Sequence, residues 1–349
     1  MDKAKRILTL TDVEELRDAD EYYAINVTDF CFGDLDSDPW ESLRAIRKLL
    51  PNLRLSLTLA GQCLVGHRHF SDEIVDAFVA AAVDNGIDTV DAYDPLNDAR
   101  NLESVAKAAK KYGADLVLGM VYSESPVHSV PYFAGYAAQL AAMGADRLCI
   151  FAMNNEFTCR ELVASVKRSA NIPLCVSSAS DEIAAIAIDA GADSVESYDI
   201  ESLSDALNKE IEAVRADAGY PPLARPIYDI IFCQAYRNII SSKRYETVSD
   251  DFKSLIRGGY GKTPAPIAEN LLKELCGDEP LILSRPADMI EPEYDMFREY
   301  ASQWLEQDED VLTYALYRGA AIVYFETRKA KKYCLDKPHA VPSKGIHVI

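Results

Sequence analysis

"DEIVDAFVAAAVDNGIDTVDAY", residues 72–93, decides how the chain is read. Apolar residues fall at Ile74, Val75, Phe78, Val79, Ala82 and Val83, the one-sided spacing of an amphipathic helix. Gly86 then stops it, as glycine does where a chain must leave a helix through a left-handed residue. Ile87–Tyr93 follows as a short strand-like run. The same helix–glycine–strand junction recurs in "PYFAGYAAQLAAMGAD" (131–146), which turns at Gly144, and in "DEIAAIAIDAGAD" (181–193), which turns at Gly191.

Outward from that segment the alternation is regular. Strands are predicted at 6–10, 22–27, 54–60, 87–93, 114–121, 146–151, 172–177 and 192–197, with helical patterns between them. Eight βα units in about 215 residues predict a (β/α)8 TIM barrel over residues 1–218. A doubly wound open sheet is the alternative, but no GxGxxG follows any strand. After Gly219 the proline-rich "YPPLARP" (220–226) ends the alternation. Helical patterns then occupy 227–240, 248–261, 267–277, 293–307 and 309–330. An all-helical C-terminal domain is therefore expected over 219–335, with a flexible tail at 336–349.

The formal net charge of −20 excludes nucleic acid as a natural partner, since phosphates would be repelled. No apolar run reaches the length of a membrane span, so membrane insertion is not expected. Eight cysteines without a CxxC pair, several inside apolar runs, fit free thiols in a reducing cytoplasm. The start of the chain has too short an apolar run for a signal peptide.

Long stretches of the chain resemble the carboxyltransferase subunits of biotin-dependent enzymes: the pyruvate carboxylase B chain, the oxaloacetate decarboxylase α chain and the transcarboxylase 5S subunit. The resemblance is carried by "DPWESLRAIRKLLPN" (38–52), "GQCLVGHRHFSDEIVDAFVAAAVDNGID" (61–88), "DAYDPLNDARNLE" (91–103) and "YSESPVHSVPYFAGYAAQLAAMGAD" (122–146). It continues through residues 220–267 and 285–316. It implies a TIM barrel followed by a helical conserved carboxylase domain, and transfer of CO2 between carboxybiotin and a 2-oxo acid. It also implies a divalent metal that polarises an enolate oxygen. In the family that metal is held by an Asp after the first strand, a carboxylated Lys on the sixth and a His-x-His pair on the seventh.

This chain departs from the pattern at those positions. Phe151 stands where the resemblance places the lysine, and Cys175-Val176-Ser177 where it places the histidine pair. A lone thiol and a hydroxyl do not replace two imidazoles on a catalytic ion. The substrate-gripping arginine of the family is Ala60, its threonine-bearing stretch becomes Ser180-Asp181-Glu182, and its loop after the eighth strand is cut to Tyr198-Asp199-Ile200. Asp18 is either a remnant of the metal aspartate, beside Arg17, or part of a helix between the first two strands. No catalytic, cofactor-binding or metal-ligating residue is therefore assigned, and neither a metal nor biotin is expected on this chain. Gln62, Asp94, Asn97, Phe151, Asn154, Cys175 and Ser177 make up a candidate vestigial pocket. Within it Asp94 and Asn97 are equally explained as loop-capping residues.

Some motifs mislead. His67-x-His69 lacks a third ligand nearby in sequence, and "GGYGKT" (258–263) lacks the upstream glycine and strand of a phosphate loop. His128 reads as a structural contact, and Cys175 has no histidine in sequence to activate it as a nucleophile.

Three readings follow. The favoured one is a catalytically impaired scaffold or regulatory subunit of a biotin-dependent 2-oxo acid carboxylase or decarboxylase complex. It would be homo- or hetero-oligomeric, with carboxyltransferase-family or biotin-carrier subunits as partners. The second is an enzyme on a small 2-oxo acid with a rewired site, drawing on Asp29, Asp91, Asp94, Asn154, Asn155, Glu156 and Glu196 near predicted strand ends. The third is family catalysis with unfamiliar metal ligands. The favoured reading expects Phe151 to project into the barrel mouth.

Overall fold

A computed structural model of the chain describes residues 24–33, 35, 37–197 and 205–333. Seven parallel strands form one sheet in chain order: β1 (Ala24–Asn26), β2 (Arg54–Leu59), β3 (Thr89–Tyr93), β4 (Asp115–Val121), β5 (Arg147–Phe151), β6 (Leu174–Ser178) and β7 (Ser194–Ser197). These match seven of the eight predicted strands to within about two residues. The first predicted strand, 6–10, lies outside the described residues, as do Arg17, Asp18, Tyr198-Asp199-Ile200 and the tail. β1 is therefore the second predicted strand, and β5, β6 and β7 are the sixth, seventh and eighth.

Helices α1 (Thr28–Phe32) and α2 (Pro39–Leu49) join β1 to β2. Then α3 (Asp72–Asp84), α4 (Glu103–Tyr112), α5 (Val130–Ala142), α6 (Glu156–Ala170) and α7 (Asp181–Asp189) each cross between neighbouring strands. Three of the turns after them, those after α3, α5 and α7, use one device. Gly86, Gly144 and Gly191 take φ of 112°, 90° and 105°, open to glycine and strained for other residues. The aspartate two residues further on accepts the backbone N–H at the start of the preceding strand. Asp88 Oδ2 takes Leu55 N at 2.9 Å, Asp146 Oδ2 takes Leu116 N at 2.8 Å and Asp193 Oδ2 takes Leu174 N at 2.7 Å. Each carboxylate also pairs with a cation of the helix that leads into that strand, Arg47 of α2, Lys110 of α4 or Lys167 of α6. Register is thus fixed unit by unit from local sequence.

Among the described residues every element after β7 is helical: α8 (Asp205–Asp217), α9 (Ile227–Ile240), α10 (Asp250–Ile256), α11 (Glu269–Cys276), α12 (Tyr294–Ala301), α13 (Asp310–Tyr317) and α14 (Gly319–Tyr333). Four predicted helices are shorter than their patterns: 248–261 is helical only over Asp250–Ile256 and 267–277 only over Glu269–Cys276, and two more are cut short. The 293–307 pattern stops at Ala301, because the Asp310 carboxylate takes the backbone N–H groups of Glu306 and Gln307 into a turn. The 309–330 pattern breaks at Arg318, whose φ of 40° is outside the helical range.

These helices share cores with the barrel. Phe297, Val311, Leu312 and Ala315 join the main core between sheet and helices. There Phe32, Trp40 and Phe78 meet edge to face, and Trp40 Nε1 donates to Thr313 Oγ1 at 3.0 Å. Residues of α8–α11 form a second core with Ala60, Cys63 and Leu96, which follow the C-terminal ends of β2 and β3. The helical region therefore packs on the side of the sheet where a barrel carries its site.

Candidate functional site

Strand alternation sorts the sheet into two faces. Val90, Ala92, Leu116, Leu118, Met120, Leu148, Ile150, Leu174 and Val176 face the helices and belong to the main core. The residues between them face inward. Val117, Cys149 and Cys175 form a small separate cluster there, with Phe151 packed against it. Gly119 is required by that ring, since a Cβ at this position would collide with Phe151. Tyr93, the register partner of Gly119, also meets Phe151, ring centroids 5.4 Å apart. Ala152, at φ 59°, then turns the chain out of β5, while Met153 N donates to Ser177 O at 2.9 Å.

Three reactive side chains converge beside this ring. One ligand atom each from Cys149, Cys175 and Glu196 lies within 4.8 Å of the others. Cys175 is therefore not a lone thiol: Cys149 is its register partner on the next strand. Sequence spacing gave no sign of this, because the three belong to three different strands. Burial pushes the Cys149 thiol pKa well up. Burial also raises Glu196, against the opposing charge of Arg147. Asp91 of β3 rises too, from burial first and then from the Glu196 charge, although Ser56 and Arg147 favour its ionised form. The inner face thus holds two mutually repelling carboxyl groups.

The predicted pocket residues are not all brought together. Cys175 and Ser177 are buried on the inner face and Phe151 is half-buried. Asn154 is exposed beyond the end of β5. Gln62 is fully buried, donating to Phe70 O (2.8 Å) and Asp72 Oδ1 (2.9 Å) and accepting from Arg285 Nη2 (2.8 Å). Asp94 caps its own loop, accepting from Leu96 N at 2.9 Å, Asp98 N at 2.8 Å and Asn101 Nδ2 at 2.9 Å; burial raises its pKa to about 7. Asn97 clamps the end of β4 through both backbone groups of Val121. Of the remaining rewired-site candidates, Asn155 caps α6 through Thr158 N at 2.9 Å and Glu156 is exposed. The loop-capping reading of Asp94 and Asn97 accounts for the hydrogen bonds seen.

A cavity of about 360 Å³ opens on the β1–β3 side of the mouth, with Asn26, Asp29, Thr58, His67, Tyr93 and Arg225 in its wall. Sequence reading had missed Arg225 and Tyr93. His67 and His69 do not act as a pair. His67 is exposed near Asp229, whereas His69 is buried edge-on to Tyr260 and its pKa falls to about 4. The "GGYGKT" loop docks on the barrel, with Lys262 N donating to Asp98 Oδ2 at 2.9 Å.

A parallel (β/α) wall with helices packed at its mouth is the architecture of carboxyltransferase barrels, and the comparisons agree. The chain belongs to the carboxyltransferase family of biotin-dependent carboxylases. The family model described as the conserved carboxylase domain matches residues 192–347. The pyruvate carboxylase B chain of Methanocaldococcus jannaschii is 32% identical, over 85% of this chain and 69% of that protein. The methylmalonyl-CoA carboxyltransferase 5S subunit of Propionibacterium freudenreichii subsp. shermanii is 29% identical, over 90% of this chain and 80% of that one. The carboxyl transferase domain of Rhizobium etli pyruvate carboxylase with 3-hydroxypyruvate superposes with a TM-score of 0.82 at 17% identity, covering 93% of this chain and 73% of that chain. The alignment to the Methanocaldococcus protein runs over 391 positions, more than the 349 residues here, so that relative carries internal segments this chain lacks.

The residues at the family's metal position do not fit its ion. Phe151 offers no donor atom where the resemblance places a lysine, and Ser177 offers a hydroxyl where it places a histidine.

Proposed function

We propose that this chain is a carboxyltransferase-family member that has lost the family's metal-assisted carboxyl transfer. It serves instead as a scaffold or regulatory partner in a biotin-dependent 2-oxo acid carboxylase or decarboxylase assembly. One observation carries this reading: the Phe151 ring packs on Gly119 and against Tyr93 at the position where the resemblance places the family's lysine. The barrel frame and the 192–347 region keep their family character, which supports retained assembly surfaces. In this reading 219–335 is the helical carboxylase domain. The partners are family subunits or a biotin carrier, and the setting is the cytoplasm, consistent with seven unpaired cysteines among the described residues. No helix among the described residues is long and apolar enough to cross a membrane.

The test supplies the purified chain with a carboxylated biotin carrier and pyruvate, or with oxaloacetate alone. An active pyruvate carboxylase B chain is the positive control. No transfer or decarboxylation above buffer is expected, and Phe151→Lys should not restore any, because the histidine pair is missing too. Turnover by the unaltered chain would sink the proposal.

The mouth cavity favours a second reading, a rewired site for a small 2-oxo acid. Arg225 is the cation in its wall suited to a carboxylate, with His67 and Asp29 available for proton transfer. Saturable pyruvate binding that Arg225→Ala abolishes would favour it.

A further inference from the structure

The donor set on the inner face is used by neither reading. Cys149 and Cys175 sit side by side on adjacent parallel strands, and Glu196 reaches them from β7. Around a tetrahedral zinc ion, with Zn–S of about 2.3 Å and Zn–O of about 2.1 Å, neighbouring donors stand ~3.5 Å apart. A mutual spacing within 4.8 Å therefore needs only small rotamer adjustments to close on one point. The chemistry is selective: two thiolates and a carboxylate suit a borderline ion such as Zn²⁺, not Mg²⁺ or Ca²⁺, which take oxygen ligands. Cys149 is 1% and Cys175 3% exposed, so water competes poorly for the ion on their side. Val117 and Phe151 form the apolar wall around them.

We propose that the chain binds a zinc-class divalent ion at Cys149, Cys175 and Glu196, beside the Phe151 ring. This site is not the family's. Only Cys175 stands at a family ligand position, and the other two donors come from positions to which the resemblance assigns no ligand. A fourth position remains for water. Phe151 flanks the site, so the ion's role is to fasten β5, β6 and β7 at the last strands of the described sheet. The competing account is a pair of buried thiols packing as small hydrophobes beside a protonated carboxyl.

The test uses the whole reduced chain, stripped with a chelator and titrated first with Co²⁺ and then with Zn²⁺. A thiolate-to-cobalt charge-transfer band is expected, saturating at about one ion per chain and bleached by Zn²⁺. Cys149→Ser and Cys175→Ser should each weaken binding by about 100-fold or more. Cys233→Ser, an exposed thiol elsewhere, should not. Because a serine inside the barrel can disturb folding, the unaltered chain is also read by alkylation mapped on peptides. Zn²⁺ should protect Cys149 and Cys175 and leave Cys233 as reactive as before. The proposal is overturned if the folded chain shows no such band, if the band survives in the double serine variant, or if Zn²⁺ gives the two thiols no protection.

Discussion

At the barrel rim Arg285 ties the helical region to the barrel. On the inner face Asp91 and Glu196 share a space with two thiols. Both places are polar and largely buried, yet they obey opposite rules. The Arg285 guanidinium donates to Arg100 O (2.9 Å), Asp72 Oδ1 (2.6 Å) and Oδ2 (3.0 Å), Gln62 Oε1 (2.8 Å), Ser104 Oγ (2.7 Å) and Asp288 Oδ1 (3.1 Å). Its hydrogen bonds and positive charge hold Asp72 down at a pKa of about 2. Here opposite charges meet and the donors are matched by acceptors. On the inner face burial pushes both carboxyl groups up, the Glu196 charge raises Asp91 further, and Arg147 only partly opposes this. A satisfied network of the first kind holds a fold together. An unbalanced group of the second kind is what sites are made of.

The largest expected effect breaks the rim. Arg285→Met keeps the stem and removes the charge, leaving Gln62 and Ser104 buried without their donor and Asp72 without its cation. Asp72 is half exposed, which softens its part of the loss. A drop of about 3–4 kcal/mol in urea unfolding is expected. A change under about 1 kcal/mol would show that the helical region is held mainly by its apolar cores.

A second, smaller effect comes from His69, close to the same rim. Burial lowers its pKa to about 4, helped by the charge of Arg285 and opposed by Asp98. Its Nδ1 is buried without a hydrogen-bond partner. With the folded pKa below the unfolded value near 6.5, the folded chain binds fewer protons than the unfolded chain. The stabilisation is therefore complete above about pH 6.5 and is lost as pH falls toward 4. On the order of 2–3 kcal/mol of acid sensitivity between pH 7 and pH 4 belongs to this one ring. His69→Phe should remove that portion from a stability–pH curve and leave the acid loss from other groups in place.

The two regions also differ in how far the sequence reveals them. The frame is legible because its rules are local. A glycine two residues before an aspartate marks the turns at Gly86, Gly144 and Gly191, and the same aspartate fixes the register of the strand before it. The predicted strands are accordingly close to those observed, and α9 matches its pattern at both ends. Helix ends set from afar are less legible, as where Asp310 draws Glu306 and Gln307 out of a helical pattern. The rim is hidden for the same reason: Arg285 meets Asp72, Gln62 and Ser104 across about two hundred residues, and nothing near it in sequence names them. The inner face is legible by half. Comparison with the family singles out Phe151, Cys175 and Ser177, but Cys175 then reads as an isolated thiol. Its company depends on β5, β6 and β7 lying side by side, a fact of register and not of motif.

The smallest of these effects sharpens the account of Phe151 itself. If the ring lies flat over Gly119, the missing Cβ there is a requirement of Phe151 and not of the strand. Gly119→Ala should then cost about 2 kcal/mol, because the added methyl must push the ring off its seat. Phe151→Ala, at a half-buried position, should cost about 1–2 kcal/mol. The two losses should not add. With the ring gone the alanine at 119 has room, and in a β-strand it is conformationally better than glycine. The double variant should be no less stable than Phe151→Ala alone, a coupling of about 2 kcal/mol. Additive losses would place the ring elsewhere, reopen the family's lysine position, and remove the observation on which the non-catalytic reading stands.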